Sequence, residues 1–129
     1  MRPLGVVAGY RGEARCLVGA DLRVLCSGAN PAGARTAAQR LADEGVAGLV
    51  SFGLAGGLGA DLAPGDLLLP QAVVLPEGGR TLADAAWRGR LAEDAGDGGG
   101  RRARLLGNLR AFHARGSGCG APSVCVAPC

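Results

Sequence analysis

Short apolar runs punctuated by glycine and proline set the pattern of the chain. Leu4–Ala8 is one such run, ended by Gly9. Leu22–Cys26 is another, ended by Ser27-Gly28. Both predict buried strands. Between them, residues 14–18 fit either a strand or a turn of helix, because so short a stretch shows no period. The clearest helix follows. Asn30 is suited to cap it, Pro31 to open it and Gly45 to end it. Ala34, Ala37, Ala38, Leu41 and Ala42 recur at the i, i+3, i+4, i+7, i+8 spacing and give it one apolar face. That face is mostly alanine, so the helix can lie close to a sheet.

Residues 46–52 predict a further buried strand, which runs into Gly53-Leu54-Ala55-Gly56-Gly57-Leu58-Gly59. Residues 61–64 read as a loop and residues 66–75 as a long apolar strand. Pro70 inside that strand argues for an edge, a bulge or a break. Residues 81–95 are alanine-rich and predict a helix, with Leu82, Ala85, Ala86 and Ala92 as apolar positions around Trp87. Strands alternating with helices imply an α/β fold with a largely parallel sheet. Beyond Asp94 the texture changes. Residues 95–104 are mostly glycine and arginine, residues 105–112 suit a short amphipathic turn, and residues 113–129 show no hydrophobic period.

Composition narrows the function. At 129 residues the chain makes one domain, and 48% hydrophobic against 19% charged residues lets it bury a core. Aromatics are only 3%, which leaves that core to Ala, Val and Leu. All 14 basic residues are Arg. A P-loop places a lysine on its phosphates, so that class of nucleotide enzyme is excluded. Residues 1–97 carry a net charge of −2 and residues 98–129 one of +5. A basic tail can serve nucleic acid or an anionic membrane.

Cys16 and Cys26 lie in apolar segments and are expected to be small buried hydrophobes. Cys119, Cys125 and Cys129 crowd the end, so the five cysteines do not form a disulfide framework. His113 and these three, spaced x5, x5 and x3, match no common zinc pattern, and no metal is expected. The apolar stretch at 4–10 is too short for a signal peptide. The best candidate for a membrane span, residues 46–60, is cut by five glycines and falls short of the ~18 residues required. A soluble cytoplasmic protein is the expectation.

Two strand ends could carry chemistry. Glycines after the strand at 46–52 would let a ligand approach the backbone, or would simply form a turn. No G-x-G-x-x-G is present, so a dinucleotide site is not supported. Ser27-Gly28-Ala29-Asn30-Pro31 leads from a strand into a helix N-terminus, which attracts anions but is as readily just capped.

Taken in order, Val6-Val7-Ala8-Gly9, Glu13-Ala14, Ser27-Gly28-Ala29-Asn30-Pro31, Gly53-Leu54-Ala55-Gly56-Gly57-Leu58 and Pro64-Gly65-Asp66 resemble the purine nucleoside phosphorylase and nucleosidase superfamily. The Asn-Pro after the second strand, and Ser-Phe-Gly before Ala-Gly-Gly, are most similar to its hopanoid-associated branch, which removes adenine from adenosylhopane in side-chain synthesis. The resemblance covers about residues 4–107. It implies the N-terminal half of a three-layer α/β/α domain with a mixed, mostly parallel sheet, and an irregular tail over 108–129.

The resemblance also implies cleavage of the N-glycosidic bond of a purine nucleoside by phosphate or water, through an oxocarbenium-like transition state. No cofactor is implied beyond phosphate as co-substrate, and family members are commonly homo-oligomers. Glu13 falls where nucleosidases place the carboxylate that handles the attacking water; the other reading is a surface glutamate. Ser27 and Gly28 would line the ribose or nucleophile side, and Ala55 and Gly56 would offer backbone beside the nucleoside. Arg11 is either a phosphate contact or an exposed arginine. Asp66 reads as structural, holding the turn at Gly65.

The family's later motifs, a Met-Glu for the ribose hydroxyls and an Asp that protonates the purine, do not occur here. A shifted frame or premature end near Gly107 would account for that, for the basic tail and for the clustered cysteines. A catalytically inactive fragment is therefore the alternative function. An Arg-rich nucleic-acid module is a third and weaker one, since the tail lacks interleaved aromatics. Half of a three-layer domain would leave sheet uncovered, and predicts a chain that is poorly soluble, aggregated or oligomeric.

Overall fold

The two N-terminal apolar runs are strands, β1 (Leu4–Ala8) and β2 (Leu22–Cys26), in a computed structural model that describes residues 1–17, 19–55, 60–63, 66–75, 77–96, 103–110 and 121–128. The chain is mixed α/β with a mostly parallel sheet. It divides into two compact units, Met1–Gly53 with Val126–Cys129, and Leu54–Cys125.

In the first unit β1 is central. It pairs in parallel with β2 (Val6↔Val24) and with β3, Gly48–Ala55 (Val6↔Val50). The ambiguous stretch after β1 holds a single turn of helix, α1 (Arg11–Ala14). The long helix α2 (Pro31–Asp43) begins where its cap signals place it, and Gly45 follows it with a φ of +74°. Helix α2 packs on β1 and β2. Val6, Ala8, Ala37, Leu41 and Val46 are buried there, Leu41 completely. Gly5 makes the close approach possible: a Cβ on it would stand 3.0 Å from both Leu49 Cδ2 and Val46 Cγ2.

Two expectations for this unit are corrected. Ala42 is exposed rather than part of the apolar face. It lies about 100° around the helix from Leu41, past the edge of the stripe that meets the strands. Cys16 and Cys26 are also exposed, not buried. Among the described residues only β1 pairs with β2, no residue of β2 is fully buried, and Cys16 sits in the turn after α1.

In the second unit β4 (Leu67–Val74) is the centre. It pairs in parallel with β6 (Ala103–Arg110) from Leu67↔Ala103 to Val74↔Arg110. It also pairs in parallel with β7 (Ala121–Pro128) at Leu68↔Ser123, and antiparallel with β5 (Arg80–Leu82) from Ala72↔Leu82 to Val74↔Arg80. The strand runs through Pro70 without a break, and Pro70 is fully buried. Pairing with β6 on both sides of it (Leu69↔Leu105, Ala72↔Asn108) carries the strand past the missing N–H, and Arg88 Nε donates to the neighbouring Leu69 carbonyl at 2.9 Å.

The helix expected over 81–95 starts later, as α3 (Ala85–Gly96). Asp84 Oδ1 accepts from Trp87 N–H at 2.8 Å, a local start signal that leaves Leu82 exposed in β5. The run expected as an amphipathic turn at 105–112 falls largely in β6, because β4 supplies a backbone partner along its length. A further strand, β7, lies where no element is expected. Asp66 is buried, and its Oδ2 accepts from Ala63 N–H at 3.0 Å just before β4. No helix among the described residues is long and apolar enough to cross a membrane.

Candidate functional site

The strand order β2-β1-β3 matters for chemistry because the chain leaves β1 toward one neighbour and returns beside the other. The carboxyl ends of β1 and β3 then border a switch point, the usual ligand crevice of a parallel sheet. Both strands carry glycine there. Gly9 follows Ala8, Gly53 follows Phe52, and Ala8↔Phe52 is the last register pair of the ladder.

Glu13 fills this place. Two residues, Gly9 and Tyr10, link β1 to α1, and Glu13 on the first turn of α1 folds its carboxylate back toward the strand end. Oε2 accepts from Gly9 N–H at 2.7 Å and from Tyr10 N–H at 3.4 Å. The residue is only 9% exposed. A carboxylate so buried is retained at a cost unless it is well hydrogen-bonded, and the short contact to Gly9 is of the charge-assisted kind.

The end of β2 is tied to the same point. Ser27 N–H donates to the Ala8 carbonyl at 2.8 Å and Ala29 N–H to the Gly9 carbonyl at 2.9 Å. Gly28 and Ala29 both have positive φ, +71° and +55°. For alanine that conformation costs on the order of 1 kcal/mol, and the surrounding bonds hold it. Ser27 Oγ accepts from Ala29 N–H at 3.2 Å. Asn30 closes the turn: its Oδ1 accepts from Gly33 N–H at 2.7 Å, while its Nδ2 donates to the carbonyls of Ser27 and Gly28 at 3.2 and 3.4 Å. Replacing Asn30 by Ala removes a helix cap and both carbonyl partners, and should destabilise the chain by about 1–2 kcal/mol. The urea unfolding midpoint measures it; an unchanged midpoint would mean that this turn holds itself.

Glu13 and the turn that holds Ser27 and Gly28 are thus both tied to the end of β1, Glu13 and Ala29 through Gly9 and Ser27 through Ala8. Arg11, at the first position of α1, is exposed. Ala55 is the last residue of β3 and belongs to the second unit, where it is half-buried. Gly56 lies outside the described residues, as do Gly57 to Gly59 and His113. Sequence reasoning missed the bridging side chain of Asn30 and the left-handed Ala29. It also missed Gly9 as the common anchor, although glycine after a strand and four residues before a carboxylate was a usable signal. Among the described residues no group of three or more His, Cys, Asp or Glu could hold a metal ion.

A family model described as the phosphorylase superfamily matches residues 5–103, three-quarters of the chain and every strand-end motif above. The chain belongs to the phosphorylase superfamily. A search of curated proteins finds no match, and a search of solved structures finds none. Members of the superfamily cleave glycosidic bonds of nucleosides, and this chain carries a domain of that kind of enzyme. Such a reaction develops positive charge on the sugar. The site has a buried carboxylate beside a turn that carries the Ser27 hydroxyl.

Proposed function

We propose that this phosphorylase-superfamily domain cleaves the N-glycosidic bond of a purine nucleoside by phosphorolysis and releases adenine. The substrate class would be an adenosyl compound such as adenosylhopane, in hopanoid side-chain synthesis in the cytoplasm. In that reaction the bond from the anomeric carbon to the purine nitrogen breaks and one to a phosphate oxygen forms. The purine leaves with the bonding pair and takes up a proton. The observation that carries the reading is the carboxylate of Glu13, buried where β1 and β3 end and joined through Gly9 to the Ser27-Gly28 turn. Glu13 would stabilise the cationic sugar or orient the nucleophile. Ser27 and Gly28 would face the ribose and the attacking group, Ala55 and Gly56 would lie beside the nucleoside, and Arg11 would contact phosphate.

The test is adenine release from adenosine and from methylthioadenosine by the purified chain, with and without phosphate. Adenine that appears only with phosphate is the expected result. Equal release without phosphate would make the enzyme a hydrolase. No release from either substrate would leave the chain a catalytically inactive piece of such an enzyme. The tail-binding alternative predicts DNA affinity that falls steeply with salt.

A further inference from the structure

We propose that Gly9 and Gly53 are positioning residues that hold the carboxylate of Glu13 between two strand ends. This rests on the reading of Glu13 given above. The two glycines follow the last β1–β3 register pair, Ala8↔Phe52, so they come side by side on adjacent strands. Neither has a positive φ, so neither backbone needs glycine for its conformation. Gly53 lies within β3, where glycine weakens a strand and usually marks a close approach. Here the approaching group is the carboxylate. A Cβ on Gly53 would stand 2.9 Å from Glu13 Oε1 and 3.2 Å from its Cδ, and a Cβ on Gly9 would stand 2.9 Å from Oε2. Gly9 meanwhile donates its N–H to Oε2 at 2.7 Å. The slot is open on both sides because two side chains are absent, and the Gly9 and Tyr10 N–H groups donate to the carboxylate within it.

The obstructed atoms are the far end of a flexible side chain, not backbone. A methyl at position 53 should therefore displace the carboxylate and spare the fold. In Gly53→Ala the thermal midpoint should hold, while the Gly9 amide proton should move upfield as its carboxylate bond lengthens. The value of kcat should fall about tenfold or more, with KM kept within about twofold. Glu13→Asp shortens the side chain by one methylene and clears the methyl. Placed on Gly53→Ala it should lower kcat no further, although alone it lowers the wild-type value. A Gly9 amide unmoved by Gly53→Ala, or rate losses that simply multiply in the double variant, would overturn the proposal. The amide readout needs no turnover. If the wild type releases no adenine, the amide still decides where the carboxylate is held. If the amide moves while kcat does not, it is the catalytic reading of Glu13 that fails.

Discussion

Glu13→Gln is expected to lower adenine release by about 10²–10⁴-fold, the range for losing a positioned acid–base group. Glutamine has the same shape and can still accept from Gly9 N–H through its amide oxygen, so the slot between Gly9 and Gly53 stays filled. What disappears is the negative charge. A charged acceptor binds an amide more strongly than a neutral one, so stability should fall by about 1 kcal/mol and no more. The informative result is the separation of the two effects. Steady-state adenine release and thermal unfolding on the same preparation measure both. A variant as active as the wild type would reduce Glu13 to a cap on the turn between β1 and α1, which is the structural role that its hydrogen bonds already fill.

The second large effect is expected at Gly33, in the first turn of α2. In an open helix Gly→Ala stabilises by about 1 kcal/mol. Here the sign should reverse. A Cβ on Gly33 would overlap the carbonyl oxygen of Ser27 and stand 2.9 Å from its carbonyl carbon. Those are backbone atoms, and the same carbonyl receives Asn30 Nδ2. The first turn of α2 and the Ser27-Gly28 turn cannot both keep their places. Gly33→Ala should cost roughly 2–3 kcal/mol, seen as a lower urea midpoint with an unchanged m-value. It should also weaken nucleoside binding, because the displaced turn belongs to the proposed site. A raised midpoint would show that α2 and this turn are not in contact.

These residues also show what could be read from the chain and what could not. Helix α2 was legible because its signals act locally: Asn30 and Pro31 adjoin its first turn, and Gly45 lies just past its end. Pro70 was misleading for the opposite reason. Whether a strand tolerates proline depends on its neighbours, and β6 pairs with β4 on both sides of that position. The run within β6 is too short for its amphipathic pattern to choose between turn and strand, and its partner β4 decides its state. Cys26 looked like core because its segment is apolar, but only the pairing shows that β2 is covered on one edge. The place of Ser27 and Gly28 at the end of β2 was legible from the apolar run before them, whereas Glu13 was singled out only by the resemblance. That Gly9 and Gly53 face one another was not legible, since it requires the β1–β3 register, which links residues far apart in the chain.

The pairing of Asn30 with Pro31 has a chemical consequence over the lifetime of the molecule. Asparagine ages by attack of the following backbone nitrogen on its side-chain amide, which closes a succinimide ring and releases ammonia. Proline has no N–H to provide that nucleophile. Conversion to aspartate would keep the acceptor for Gly33 N–H but lose the donor to Ser27 and Gly28, and would set a carboxylate against two carbonyl oxygens. The residue that opens α2 thus also preserves the amide on which the turn before it depends.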